Sequence, residues 1–342
     1  MRIVWIAVMM TTLLWGGQLR ETVLQAGMEP IPQSLQQVIE KLERPDNPIT
    51  EEKIALGKML YFDPRLSKSG IISCNTCHNI GLGGVDGIPA AIGHNWQVNP
   101  VGLNSPTVFN AAFHIAQFHD GRSPHLADQA SGPIQADVEM AISREMAEAR
   151  FRSIPEYVTR FESVFRGEPE PVTLDNIAKA IAAFEMTLVT PSRFDAYMHG
   201  DTKALSRAEK KGLEVFIQKE CITCHNGVGL GGGMMRKFPE VGKFRYAHIG
   251  TFRGDAEGRT RVPTLRNLTL TAPYFHNGSV WSIEEAIEIM AEAQLGIHIS
   301  RQEVGQIAAF LRSLEGEQPQ IVIPMLPRSR IETPRPLPFE SD

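Results

Sequence analysis

Apolar positions recur at helical spacing along most of the chain. In Glu51–Phe62, Ala55 pairs with Met59 and Leu56 with Leu60 at i,i+4, which predicts an amphipathic helix. A longer pattern puts Ile177, Ile181, Phe184 and Leu188 on one face and predicts a helix ending near Pro191. Three more helices are signalled by a Ser with a Glu three positions on, the spacing of a reciprocal N-terminal cap: Ser206 with Glu209, Ser282 with Glu285, and Ser300 with Glu303. Their inward faces would carry Leu213, Phe216 and Ile217, then Ile283, Ile287 and Met290, then Val304, Ile307, Leu311 and Leu314. Between Ile80 and Trp96 lies a loop with Gly81, Gly83, Gly84, Gly87 and Gly93, where backbone can approach another group closely. From Gln318 the chain is Pro-rich and aperiodic, and an extended or partly disordered tail is expected.

A chain of 342 residues has room for two domains. The net charge of −5, with scattered basic residues and no basic stripe, argues against a nucleic-acid partner. At the start, Arg2 precedes an apolar run from Ile3 to Gly17, too short to span a bilayer comfortably and of the right length for an export signal. Cleavage at Gly17 or in Gln25-Ala26-Gly27 would release the chain to the periplasm; an uncleaved anchor is the alternative. The expected organisation is a leader at 1–26, an N-terminal domain at 27–190, a C-terminal domain at 191–316 and a Pro-rich extension at 317–342.

Haem is indicated by the cysteines. All four fall in Cys74-Asn75-Thr76-Cys77-His78 and Cys221-Ile222-Thr223-Cys224-His225, two complete C-x-x-C-H motifs. In such a motif two thiols meet the haem vinyl groups and the adjacent imidazole reaches the iron. A thioredoxin-type pair needs no His after the second Cys, and a zinc site would not need one in both places. Each motif is therefore expected to hold one haem c, with His78 and His225 as axial ligands.

The second axial ligands are left open by spacing. Around the first haem the candidates are His94, His114, His119 and His125; around the second, Met234, Met235, His276 and Met290. Methionine raises a haem potential relative to bis-His ligation, so one of each would create an electron gradient inside the chain.

Beyond the motifs, the chain resembles the bacterial dihaem cytochrome c peroxidases from about Leu56 to about Pro327. The likeness is carried by Leu56-Gly57-Lys58-Met59-Leu60, Phe62-Asp63-Pro64-Arg65, Asn104-Ser105-Pro106-Thr107-Val108, Gln117-Phe118 with Asp120-Gly121-Arg122, Gln129-Ala130, Gly132-Pro133, Val138-Glu139-Met140 and Leu270-Thr271-Ala272-Pro273-Tyr274-Phe275-His276. The resemblance implies an all-α chain of two cytochrome c-like domains, each with one covalent haem, and a calcium ion between them. It implies reduction of hydrogen peroxide to water by a homodimer fed by a small c-type cytochrome or a cupredoxin.

Carried over position by position, the haem on His78 is the low-potential peroxide site with His94 as its removable distal ligand. The haem on His225 is the high-potential store with Met290 as second ligand. Glu139 and Gln129 fall at distal-pocket positions, with Glu139 as acid–base catalyst, and Asn104, Thr271 and Pro273 match the calcium-binding positions. One departure stands out: the family usually has Trp between Phe118 and Asp120, on the path between the haems, and this chain has His119. An unperturbed imidazole there would titrate near ~6.5 and make inter-haem transfer pH-sensitive, whereas a neutral packing residue would not. A pure electron carrier would need neither Glu139 nor Gln129. The related dihaem enzyme that matures a tryptophan-derived cofactor carries Tyr where this chain has Met290.

Overall fold

A computed structural model describes residues 18–337. The apolar run read as an export signal lies outside the described residues. Within them the architecture is helical, the extended structure being a short antiparallel pair, β1 (Met235–Lys237) with β2 (Arg259–Arg261), and isolated bridges.

Two hydrophobic cores organise the chain, each around one helix crossing. In the first, α3 (Glu51–Phe62) lies against α8 (Leu174–Glu185) and buries Leu56, Leu60, Ile177, Ile181 and Phe184. The helices touch at Gly57, where a Cβ would stand 1.8 Å from the Ala180 carbonyl oxygen, so only glycine permits this approach. In the second, α10 (Arg207–Gln218) crosses α12 (Arg301–Arg312), burying Leu213, Phe216, Ile307, Phe310 and Leu311. Gly212 plays the same part there, its would-be Cβ lying 2.0 Å from the Gln306 carbonyl oxygen. Each crossing glycine sits in the helix that precedes a C-x-x-C-H motif, so the two halves repeat one packing solution.

Polar side chains set the helix ends. Ser206 with Glu209 and Ser300 with Glu303 form reciprocal caps. At α11 (Ile283–Met290) Ser282 accepts from the Glu285 amide, but the Glu285 carboxylate is taken by the Tyr246 hydroxyl at 2.8 Å, so the expected reciprocal cap is only half made. Helix α8 stops at Glu185, short of the expected end near Pro191, because the Thr187 and Leu188 amides turn back to the Phe184 and Glu185 carbonyls; Leu188 is buried beyond the helix. The changeover between cores falls between Leu188 and Phe194, the latter in α9 (Arg193–Met198).

Both chain ends cross over. Residues 18–25 form helix α1, with Val23 and Met28 fully buried in the second core and Leu19 packed against it. The sequence reading divided this arm between leader and first domain; it packs instead on the second module, because its apolar residues complete that core. Gly227, two positions past His225, donates to the Gly27 carbonyl at 2.7 Å and accepts from the Glu29 amide at 3.3 Å. At the other end, the tail leaves α12 and lies along the first module. Ile321 and Leu326 pack on its core, Arg65 donates to the Pro327 carbonyl, and the Leu337 amide donates to Lys68. Arg150, 1% exposed on α6 (Arg144–Arg152), donates to the carbonyls of Arg65, Ser67, Lys68 and Arg335.

Candidate haem sites

The first motif folds as a single helical turn, α4 (Cys74–Cys77), capped by Ser73 and Thr76. Burial pushes the Cys74 thiol far up and Cys77 to about 12. In the second motif, a 3₁₀ turn at Cys221–Thr223, burial lifts Cys221 to about 11. A redox-active dithiol needs the opposite, a depressed thiolate. All four cysteines are free of disulfides.

Both motif histidines are kept neutral, as an iron ligand must be. Burial lowers His78 below the ordinary histidine range, and its Nδ1 lies 2.9 Å from the Pro106 carbonyl oxygen. With that nitrogen donating, Nε2 is the free lone pair. The Tyr61 hydroxyl donates to the His78 carbonyl at 2.5 Å, fixing the backbone of the ligand turn from α3. Burial brings His225 to about 4.

Cys221, Cys224, His225 and Met290 line one cavity of about 250 Å³. Met290 ends α11 and lines the same space as His225, as does His276; Met234 and Met235 are not among its lining residues, Met235 standing in β1 with its sulfur at Gly121. His114 and His119, grouped in the sequence reading with the first haem, also line this second cavity. His125 caps α5 (Leu126–Gln135), its Nδ1 accepting from the Asp128 amide. Arg261, which the sequence gave no reason to single out, is 6% exposed beside the cavity, with Nη1 buried and without a hydrogen-bond partner. An orphaned guanidinium N–H in a mostly apolar cavity fits a ligand carrying carboxylates, as haem does.

The loop holding His94 meets the segment holding Glu139. The His94 amide donates to the Glu139 carbonyl at 2.6 Å, and a Cβ on Gly93 would stand 2.2 Å from the Val138 carbonyl oxygen. Glu139 itself is carried on a segment folded back on α5: Met140 donates to Pro133, Ala141 to Ala136 and Ile142 to Ile134. Gln129 lies on that helix, half-buried. Burial raises the Glu139 carboxyl above the ordinary range, opposed by the Arg122 guanidinium, which stacks on Phe118 with its carbon 3.4 Å from the ring centroid.

His119 is half-buried, and its Nε2 lies 3.0 Å from the Asn104 carbonyl oxygen. Burial, Arg261 and His276 bring it to about 4 against the Asn104 bond, so it is a neutral imidazole and the expectation of titration near ~6.5 is corrected. The Asn104 amide also donates to the His276 carbonyl, and its Nδ2 donates to the Ile88 carbonyl at 2.8 Å, leaving Oδ1 as an acceptor. Asn104, Thr271 and Pro273, the positions expected for calcium, are all among the lining of this cavity. Two residues after Asn104, Pro106 accepts from His78. The short segment 104–106 therefore joins the first ligand turn to the second cavity.

Residues 51–203 match the family model described as di-haem cytochrome c peroxidase, and residues 209–315 match that of cytochrome c. The chain is 48% identical over 320 residues to the cytochrome c551 peroxidase of Pseudomonas aeruginosa, covering 90% of each chain. It is 46% identical to the cytochrome c551 peroxidase of Nitrosomonas europaea, over 86% of this chain and 89% of that one. A solved MauG-like protein associated with microbial copper homeostasis superposes with a TM-score of 0.70 at 28% identity, over 85% of this chain and 93% of that one.

Proposed function

The chain belongs to the bacterial di-haem cytochrome c peroxidase family, and from that premise we propose how its residues divide the reduction of hydrogen peroxide to water. Cys74 and Cys77 would tether the first haem with His78 as axial ligand; Cys221 and Cys224 would tether the second, with His225 and Met290 on its iron. When bound, the haems supply the redox chemistry, the two electrons that O–O cleavage consumes. Everything else falls to side chains.

Glu139 holds and moves the proton. Its carboxyl lies above the ordinary range because burial disfavours the anion, which suits a group that accepts a proton from peroxide and returns it to the leaving oxygen. Gln129, on the helix against which the Glu139 segment folds, orients the bound peroxide. His94 closes the pocket as a removable ligand, and its direct bond to the Glu139 backbone is the observation that carries this reading. Arg261 would meet a haem carboxylate. Asn104, Thr271 and Pro273 offer hard oxygen donors to calcium.

The finer assignments follow the same reading: a periplasmic homodimer, refilled one electron at a time by a small c-type cytochrome or a cupredoxin. The reading is tested by steady-state peroxide consumption with a reduced small c-type cytochrome. Turnover is expected; a half-reduced protein that peroxide fails to oxidise would make the chain an electron carrier instead.

A further inference from the structure

Glu185 is a buried ionisable group that this chemistry does not use. Glu185 is the last residue of α8, 7% exposed, with Oε2 buried and without a hydrogen-bond partner. A carboxylate there has no donor and faces the negative end of its own helix dipole, so both burial and position favour the neutral acid. Burial lifts its pKa to about 8.

Its surroundings are sparse in charge. From α3, Tyr61 feels Glu185, and from α4, Cys74 does. Thioether formation removes the Cys74 charge. Burial keeps the proton on Tyr61, whose hydroxyl is occupied by the His78 carbonyl. The helices α5 and α6 also pack on α8 but bring no charge that bears on Glu185, since burial is the sole cause of its shift. A single uncompensated carboxyl thus stands within electrostatic reach of Cys74, which would tether the first haem.

We propose that Glu185 is the redox-linked proton site of the first module: one-electron reduction of the haem tethered by Cys74 and Cys77 is accompanied by protonation of the Glu185 side chain. The inference rests on the two-haem reading above. Reduction from ferric to ferrous removes one positive charge, and in a low-dielectric interior a nearby carboxylate loses that stabilisation with little screening. The proton is then held more tightly in the reduced state. The step balances as one electron from a one-electron donor to the iron and one proton from water to a Glu185 oxygen. By linkage, the first haem's potential falls as pH rises through the window between the two proton affinities.

The experiment is a spectroelectrochemical titration of both haems across the neutral and alkaline range, in the holoprotein and in Glu185→Gln. The first haem's potential should fall with pH in the wild type and lose that dependence in the variant, while the second haem behaves alike in both. Infrared difference spectra, reduced minus oxidised, should gain a protonated-carboxyl C=O band that Glu185→Gln lacks. If Glu185→Gln does not load haem, Glu185→Asp replaces it, and the band should shift. An unchanged pH dependence, or a band that persists unshifted, overturns the proposal. A pyridine haemochrome count is made alongside: one haem per chain would sink the two-haem reading itself, whereas two haems with an unaltered titration would sink Glu185 alone.

Discussion

The backbone of His94 donates to the backbone of Glu139 over 2.6 Å, so the loop that holds His94 and the segment that holds Glu139 move as one unit or must part. Gly93 makes the contact feasible. In Gly93→Ala the new methyl would press on the Val138 and Glu139 backbone, at a cost of roughly 1–3 kcal/mol of overpacking. We expect a larger high-spin fraction of the first haem in the fully ferric protein, read by electron paramagnetic resonance. A spectrum identical to wild type would mean that the loop and the Glu139 segment are not coupled.

Glu139→Gln preserves size and removes the proton relay, and turnover should drop roughly 10²–10⁴-fold with haem content unchanged. The sign of the pH effect follows from the shift. A carboxyl raised by burial stays protonated to higher pH, so the wild-type activity should fall on the acid side of that raised value and recover above it. The variant should lose this acid limb. Wild-type turnover in Glu139→Gln would reduce the residue to an ordinary half-buried carboxyl.

Burial brings His119 to about 4, below the ordinary histidine range. Rapid mixing of the half-reduced protein with peroxide should therefore give parallel pH profiles in wild type and His119→Trp through the ordinary histidine range. The larger indole must be accommodated beside Phe252, whose ring centroid lies 5.9 Å from that of His119. A wild-type inflection near ~6.5 that His119→Trp lacks would restore a titrating imidazole.

The arm at 18–28 should belong to the mature protein. Removing Val23 exposes a fully buried side chain's partners, a loss of about 1.5–3 kcal/mol for that residue alone. Intact mass of the exported holoprotein should place its N-terminus at or before Gln18, and a chain truncated to start at Met28 should melt at lower temperature. A mature protein beginning at Gly27 would show the arm to be dispensable.

Much of this was legible in the sequence, for reasons that differ from residue to residue. The haem motifs are local, five residues whose spacing is their chemistry. The caps at Ser206 and Ser300 are local too, and hold. Ser282 fails as a reciprocal cap because Tyr246, distant in the chain, claims Glu285. The side chains that spacing misplaced are those whose position depends on the meeting of the modules: His114 and His119 follow the first motif in sequence yet face the second cavity. Arg261 and Glu185 carried no signal at all, because a buried polar atom left without a hydrogen-bond partner, such as Arg261 Nη1 or Glu185 Oε2, is a property of the assembled fold.

The tail that runs over the first module reverses the order in which the chain is completed. Synthesis delivers the first motif early, but Arg150 receives the Arg335 carbonyl, and Leu326 takes its place on the first core, only after the second motif and α12 have been made. The earlier half must therefore wait, incompletely covered, for the last residues of the later one. Loss of the strap would be felt at the far end of the sequence, as an opening of the module that supplies His78 and Glu139.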